Sequence, residues 1–406
     1  MSRAAGQISQ TGQSGRASRA AARARPAFIA GARGCFERAG YVGTRIDDIA
    51  DAAGYAVGSF YTYFTSKEDV LLAVIEASAS IEGADRDAPD LGSCVEHVGR
   101  GCAARLALDL AIEQASLRSP VVLTEWHRYR EEAVSSLTGT LRRLEQSSSL
   151  SDEELASVAA TLRSTVEQTS RLASLGHDAG TRSMAALWSA SLGAGAVEAT
   201  PLTGSVDRAA PAAPQTTASG SKARLVAAAR TLFSTTPWEG VSVARIASEA
   251  GLANGTFYRH FGTKTEVLAA VIESAETELF PPASRGQSLS FPDEMFHLIV
   301  THMDGVNRSS GLWATVTEAA AGEPSISAAI DRARRGWLVS VRDVALAWQR
   351  GGEVADSVDL ASFIPLLAAM LEREAFVSGV LTYSPEGLYS SAATVRDCWW
   401  RTLTGA

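Results

Sequence analysis

The feature that most constrains this chain is a repeat. Residues 43–64 read GTRIDDIADAAGYAVGSFYTYF and residues 240–261 read GVSVARIASEAGLANGTFYRHF. They align without a gap at a constant offset of 197, the difference between Gly255 and Gly58. A fixed-period repeat means that one supersecondary unit is built twice. The matched positions are those a small helical unit needs. Ile49-Ala50 pairs with Ile246-Ala247, a branched residue beside a small one, and Ala53-Gly54 pairs with Ala250-Gly251. Glycine in that place suits a left-handed helix end, where a Cβ would clash. Gly58 and Gly255 follow at the start of the next short helix. Glycine is costly inside a helix, so its presence there points to close backbone approach by something else.

The flanks repeat as well. Ile29, Ala32 and Phe36 form an apolar stripe of helical period, and Val226, Ala229 and Phe233 repeat it. Ser66-Lys67-Glu68-Asp69 and Thr263-Lys264-Thr265-Glu266 read as capping boxes. Each precedes an apolar helix, with Val70, Leu71, Val74 and Ile75 in one and Val267, Leu268, Val271 and Ile272 in the other. Each unit therefore reads as four helices, the middle two short and joined by a glycine turn, which is a helix-turn-helix. No stretch shows convincing strand alternation, so the expected fold class is all-α.

This pattern resembles the TetR/AcrR family of bacterial one-component transcriptional regulators. The resemblance rests on Ala32, Phe36, Gly40-Tyr41, Thr44, Ile49, Ala50, Ala53, Gly54, Gly58, Phe60, Tyr61, Phe64 and Lys67 in the first head. In the second it rests on Ala229, Phe233, Ile246, Ala247, Ala250, Gly251, Gly255, Phe257, Tyr258, Phe261 and Lys264. The second head departs at Pro237-Trp238 and at Val241, which is expected to disturb the approach to its second helix. The resemblance implies two tandem halves, each a DNA-binding head followed by a larger helical domain that holds an effector pocket and dimerises. The expected organisation is a disordered basic tail over 1–22, a first head over 23–76, a first helical domain over 77–200, a linker over 201–221, a second head over 222–273 and a second helical domain over 274–406. The simplest assembly is an intramolecular pseudo-dimer with 162–193 and 358–404 as its bundle. Further pairing of two chains is left open. Two weaker echoes accompany it: Thr124-Glu125 with Thr317-Glu318, and Trp188 with Trp399.

Composition bounds the rest. The chain has 406 residues, enough for two to three domains, and its 46% apolar and 20% charged content suits a soluble globular protein. No apolar run is long enough to span a bilayer and the N-terminus shows no secretory leader, so the expected location is the bacterial cytoplasm with no membrane partner. Four cysteines without CxxC spacing fit a reducing compartment, with Cys35 expected as a buried thiol. Net charge is −8, but net charge governs solubility rather than a local binding face. The second head carries six Lys/Arg against four acids over 221–273, and the first carries six against seven over 23–76. Residues 1–36 contain no acid and six arginines, so the first head's positive charge lies largely in its tail, which reads either as a solvated leader or as an arm that follows the DNA backbone or enters the minor groove.

A helix-turn-helix sets its second helix in the major groove. The recognition helices are expected over 57–63 and 254–260. By the resemblance, Gly58 and Gly255 admit the DNA backbone, Tyr61 and Tyr258 offer hydroxyls to phosphate, and Lys67 and Lys264 add charge beside them. Such contacts position a protein without reading sequence. Thr44, Arg45 and Ser242 complete the positioning set. Sequence reading falls to Val57, Ser59, Thr62 and Tyr63 in the first head and to Asn254, Thr256, Arg259 and His260 in the second. Asn suits adenine, Arg suits guanine and Val meets only a thymine methyl. Unlike readers imply an asymmetric operator of double-stranded DNA.

For an unknown small-molecule effector, the candidate contacts are Trp126, His127 and Tyr129 in the first half and Phe296, Met303 and Trp313 in the second; each is equally a core residue type. His297 and His302 are five apart, not the spacing of a helical metal pair, and no phosphate loop, nucleophile elbow or zinc spacing is present. No metal, no cofactor and no catalytic residue is expected. The leading reading is a repressor released by its effector. The alternatives are a non-inducible architectural DNA-binding regulator and, remotely, an all-helical enzyme.

Overall fold

A computed structural model of the protein describes residues 5–79, 88–144, 150–174, 220–285, 289–320, 322–381 and 385–404, together with Met184 and Trp188. All regular structure among them is helical. The expected linker and most of the stretch after α7 lie outside the described residues. The chain divides into two compact units, residues 1–84 with 100–136, and residues 85–99 with 137–406.

The first unit holds the first head: α1 (Ala5–Gly43), α2 (Ile46–Ala53), α3 (Val57–Phe60) and α4 (Lys67–Ala79). It also holds most of α5 (Leu91–Ser116) and α6 (Pro120–Leu141). Helix α1 starts at Ala5 and so takes in most of the tail expected to be disordered. The run ASRAAARARPA over residues 17–27 is dense in alanine and arginine, both strong helix formers, which suits the helix there. The head's core is an aromatic cluster. Phe28 touches Tyr55, Phe60, Tyr63 and Phe64 with ring centroids 5.2–6.4 Å apart, and Phe28, Phe36, Ile49 and Phe60 are fully buried. Gly54 ends α2 at φ 76°, the left-handed conformation that a Cβ would penalise.

The second unit holds α7 (Asp152–Ser174) and the second head: α8 (Ser221–Thr235), a 3₁₀ turn (Trp238–Gly240), α9 (Val243–Glu249), α10 (Asn254–Tyr258) and α11 (Lys264–Ser274). Then come α12 (Glu276–Leu279), α13 (Phe291–Arg308), α14 (Ser310–Ala320), α15 (Pro324–Gly351), α16 (Leu360–Phe376), a π-helical turn (Val377–Leu381) and α17 (Pro385–Thr404). The recognition helices α3 and α10 are shorter than expected because each ends in a turn before the buried Phe64 or Phe261. Both expected caps form. Ser66 and Thr263 accept the N–H of Asp69 and Glu266, and the two acids reach back to the N–H of Thr65 and Gly262. No helix among the described residues is long and apolar enough to cross a membrane. All four cysteines are buried free thiols.

The echo between Thr124-Glu125 and Thr317-Glu318 does not hold. The first pair lies in the opening turns of α6 and the second near the end of α14. A different register relates the helical domains. Gln114 and Glu318 each bond the backbone N–H of the matched head residue, Tyr41 or Trp238, and Pro120 and Pro324 each open the next helix. Both pairs are separated by 204 residues (318 − 114 and 324 − 120). Trp188 and Trp399 are both fully buried.

Helix α7, from the first half of the sequence, packs on α16 and α17 from the second, all within the second unit. Its buried face is unusually polar. Arg163 donates to Glu167 at 2.7 Å, and Glu167 accepts Arg373 of α16 at 2.9 Å. Ser164 donates to Glu374, Gln168 donates to Glu372 at 2.8 Å, and Arg334 of α15 donates to the other oxygen of Glu372 at 2.6 Å. Burial pushes the Glu372 carboxyl upward, against the pull of Arg334. Thr161 meets the Cys398 sulfur at 3.5 Å, and Arg401 pairs with Glu154 at 3.7 Å. Desolvating such groups is costly, so removing one partner is worse than never having built the pair. Glu167→Ala leaves two guanidinium groups, each on a side chain less than one-tenth exposed, without their shared carboxylate. The expected loss is about 3–5 kcal/mol in urea unfolding. A loss below about 1 kcal/mol would show that the seam is solvated.

Candidate nucleic-acid interface

The two heads present the same frame with different surfaces. Tyr61 and Tyr258 are 58% and 61% exposed, the exposed large hydrophobic side chains of the two heads among the described residues, and both stand at the end of a recognition helix. A Cβ added at Gly58 or Gly255 would meet nothing within 4 Å. No internal packing therefore calls for glycine at either place, and the open side is the exposed face. Thr62, Asn254 and Arg259 are exposed on that face, while Val57, Ser59 and Thr256 are half-buried. Arg259 rests its guanidinium on Thr256 Oγ1 at 3.1 Å, which holds it along the helix.

The last residue of each expected set is tied down. Tyr63 is half-buried, its ring 5.9 Å from Phe28. His260 is exposed, but its Nε2 is hydrogen-bonded to Ser221 at the start of α8. Thr44 leaves the interface: it is 2% exposed and its hydroxyl donates to the Gly40 carbonyl at 2.7 Å. Its counterpart Val241 is equally buried, so the position is a core position and tolerates either β-branched residue. Arg45 and Ser242 are exposed N-caps of α2 and α9. Arg45 N–H donates to Asp48 at 2.9 Å and Ser242 accepts the Arg245 N–H at 3.2 Å.

Lys67 and Lys264 are built into the heads rather than held out to solvent. Lys67 Nζ donates to the Tyr41 and Thr44 carbonyls at 2.7 and 2.9 Å and lies 4.4 Å from the Tyr41 ring centre. Lys264 Nζ donates to the Trp238 carbonyl at 2.6 Å and lies 3.8 Å from that ring centre. Burial pulls the Lys264 ammonium below its ordinary pKa. Tyr41 and Trp238 occupy matched positions, so the substitution of Gly-Tyr by Pro-Trp preserves the clamp instead of disturbing the approach to the second helix. Sequence reasoning named the lysines and missed their partners. The signal available was an aromatic residue 26 positions before each lysine. Arg25 and Lys222, another matched pair, sit over Phe64 and Phe261 at 5.3 and 5.7 Å.

Charge separates the heads. Over the matched 22-residue segments the first head has Arg45 against Asp47, Asp48 and Asp51, and the second has Arg245 and Arg259 against Glu249. The segment charges are therefore −2 and +1. The three aspartates lie on α2, and carboxylates add nothing to the charge neutralisation on which phosphate binding depends.

The expected effector residues scatter. Trp126 and Tyr129 are buried with Arg130 and Arg105 against their rings, and His127 is half-buried beside Trp126, its pKa lowered by burial. In the second half Met303 is fully buried, Phe296 is half-buried under Arg396, and Trp313 packs edge-on to Phe280. His297 is exposed and His302 is buried.

With this geometry in hand, the comparisons decide the family. The model for bacterial regulatory proteins of the tetR family matches residues 28–74 and again residues 225–271. Both heads belong to the TetR family, and the chain carries them in a tandem form. It is accordingly a DNA-binding transcriptional regulator, a class that is not enzymatic. Among solved structures, Salmonella enterica GusR matches at 20% identity and a TM-score of 0.37, over 43% of this chain and 91% of its own. A protein described as a TetR-family transcriptional regulator from Rhodococcus sp. matches at 20% identity and a TM-score of 0.37, over 42% of this chain and 94% of its own. No curated protein matches the sequence.

The lysine clamp yields a test. Lys264→Ala removes a charge-assisted bond and a ring contact inside this TetR head. It should destabilise the head by about 1.5–3 kcal/mol, read as a lower Tm of the DNA-free protein. A lysine acting only on phosphate would leave that Tm unchanged.

Proposed function

We propose that this TetR-family chain is a sequence-specific repressor, released by a small-molecule effector, that reads an asymmetric operator with two unlike heads. It would act in the bacterial cytoplasm, where its DNA is. The observation that carries the reading is the difference in exposed side chains at matched positions on one preserved frame. Thr62 corresponds to Arg259, and Val57 to Asn254, in the 197-residue register. Asn and Arg make bidentate contacts to adenine and guanine, whereas Val and Thr offer a methyl contact or a single hydroxyl. The second head is therefore the stronger reader, and the acidic α2 makes the first head the weaker phosphate binder.

The functional unit would be one chain. The polar seam of α7 against α16 supports this, because its pairs are unlike: Ser164 with Glu374, Gln168 with Glu372, and Glu167 with Arg373. Pairing α16 with a second α16 would put carboxylates opposite one another, a costly arrangement in a buried seam. Repression would then be relieved when effector favours a conformation in which the heads no longer fit their half-sites together, which requires unequal binding to the two conformations.

Selection of bound sequences from a random duplex library tests the operator. The full chain should recover two unlike half-sites, and Arg259→Ala should relax one position of one half only, at a cost of about 1–3 kcal/mol. A strict palindrome would overturn the reading. Assembly is tested by dilution. Linkage makes the two halves' association intramolecular, so DNA affinity should not change with protein concentration across the nanomolar range. A steep loss on dilution would mean that two chains are required.

A further inference from the structure

Four rings from four successive elements meet in the second helical domain. Phe280 follows α12, His302 lies on α13, Trp313 on α14 and Trp337 on α15. The Phe280 centroid is 5.5 Å from Trp313, 6.0 Å from Trp337 and 6.3 Å from His302. His302 and Trp337 stack at 4.4 Å with planes 26° apart. Each of the three polar rings buries a nitrogen with no hydrogen-bond partner: His302 Nδ1, Trp313 Nε1 and Trp337 Nε1. Buried polar atoms are nearly always paired, because an unpaired one forfeits its water without return. The same helix shows what a satisfied indole looks like, for Trp348 donates to Glu294 at 2.7 Å. Trp188 and Trp399 also bury an unpartnered indole nitrogen, but among the described residues no ring contact joins either to a second such group. Three around one phenylalanine ring form a set.

We propose that this cluster is the effector site of the chain, that it takes one neutral, planar aromatic molecule bearing oxygen acceptors, and that the first half has no equivalent. Indole N–H groups donate only, so the occupant must accept. Aromatic walls favour a flat apolar body, with a few convergent polar groups fixing its orientation. Burial holds the His302 pKa down at about 3, so the imidazole is neutral near pH 7 and the four rings present no charge. In the 204-residue register, His302, Trp313 and Trp337 correspond to Val98, Asp109 and Ala133. None of the three polar rings recurs, so the stoichiometry is one per chain.

The site is also placed to act on DNA binding. Trp313 shares α14 with Thr315, which donates to the Thr236 carbonyl at 3.2 Å, and with Glu318, which accepts the Trp238 N–H at 3.0 Å. Gly311, two residues before Trp313, abuts the Ser234 carbonyl so closely that a Cβ there would overlap it. An occupant that shifts Trp313 therefore bears on a helix already bonded to the second head. The effect on DNA rests on the ligand-responsive regulator reading; binding at the cluster does not.

The test titrates the full-length chain with flavone, a neutral planar compound with a carbonyl and a ring ether oxygen, and with N-methylacridinium, a planar aromatic cation without such acceptors. Flavone should quench tryptophan fluorescence and raise the Tm with one equivalent per chain. Trp313→Phe and Trp337→Phe keep an aromatic ring and remove one N–H each, and each should weaken flavone binding at least ten-fold. The acridinium should bind at least ten-fold more weakly than flavone. Absence of flavone binding, two equivalents per chain, equal binding of the cation, or affinity unchanged in both variants would each overturn the proposal. DNA affinity measured with and without flavone separates the two readings. Flavone binding that leaves DNA affinity intact overturns the effector role. A chain that binds no DNA even without flavone fails as a regulator, whatever the cluster binds.

Discussion

A backbone N–H just past the Gly40 kink inside α1, at φ 67°, and its counterpart just after α8 form the joint on which each half depends. A helix end leaves polar groups that must find partners elsewhere. Here the N–H of Tyr41 goes to the Gln114 side chain and that of Trp238 goes to Glu318, so the helical domain closes the head's open end. From the other side, Lys67 and Lys264 cap the carbonyls of the same two residues and lie against their rings. One residue thus binds the first helix, the fourth helix and the helical domain together. A recognition helix of four or five residues has little stability of its own, since helices that short do not persist without tertiary contacts. Its aim is set by this joint and by the buried phenylalanine after it.

The second organising constraint is the polar seam between α7 and α16. A hydrophobic seam of the same size would be at least as stable, but it would accept like helices as readily as unlike ones. Ser164 and Gln168 of α7 donate to Glu374 and Glu372 of α16, while Glu167 of α7 accepts from Arg373 of α16, and these unlike partners make the pairing directional. In a chain that carries two related halves, this is the discrimination required, because each half otherwise offers a surface similar to its neighbour's.

Local rules made the heads legible. The stripe through Ile29, Ala32 and Phe36, the glycine after α2 and α9, and the Ser66 and Thr263 caps act over one or two helical turns, and each was readable at its own spacing. What escaped reading depends on residues far apart in the chain. Lys67 looks like a phosphate ligand until its ammonium donates to the Tyr41 carbonyl, 26 residues back, and even Thr44 looks like an interface hydroxyl until it is seen buried and donating to the Gly40 carbonyl. The Thr-Glu echo misled because two common residues recur by chance, whereas the register that matters is carried by Gln114 and Glu318, which differ in charge and share only a bond. The ring cluster escaped except for Trp313, since Phe280, His302 and Trp337 come from three separate elements with no common period.

Three differences between the halves point the same way. The first head's α2 carries three aspartates where α9 has alanine, arginine and serine. The first joint uses a neutral amide and the second an ionisable carboxylate. Among the described residues, the unpartnered ring nitrogens that share a ring cluster lie beside the second joint. A duplicated homodimer starts with equal halves, and symmetry then obliges both to bind, sense and respond alike. Two halves on one chain are free of that obligation, and α7 meets α16 through unlike partners. In the proposed function, reading and sensing concentrate in the second half, while the first keeps the same helical frame.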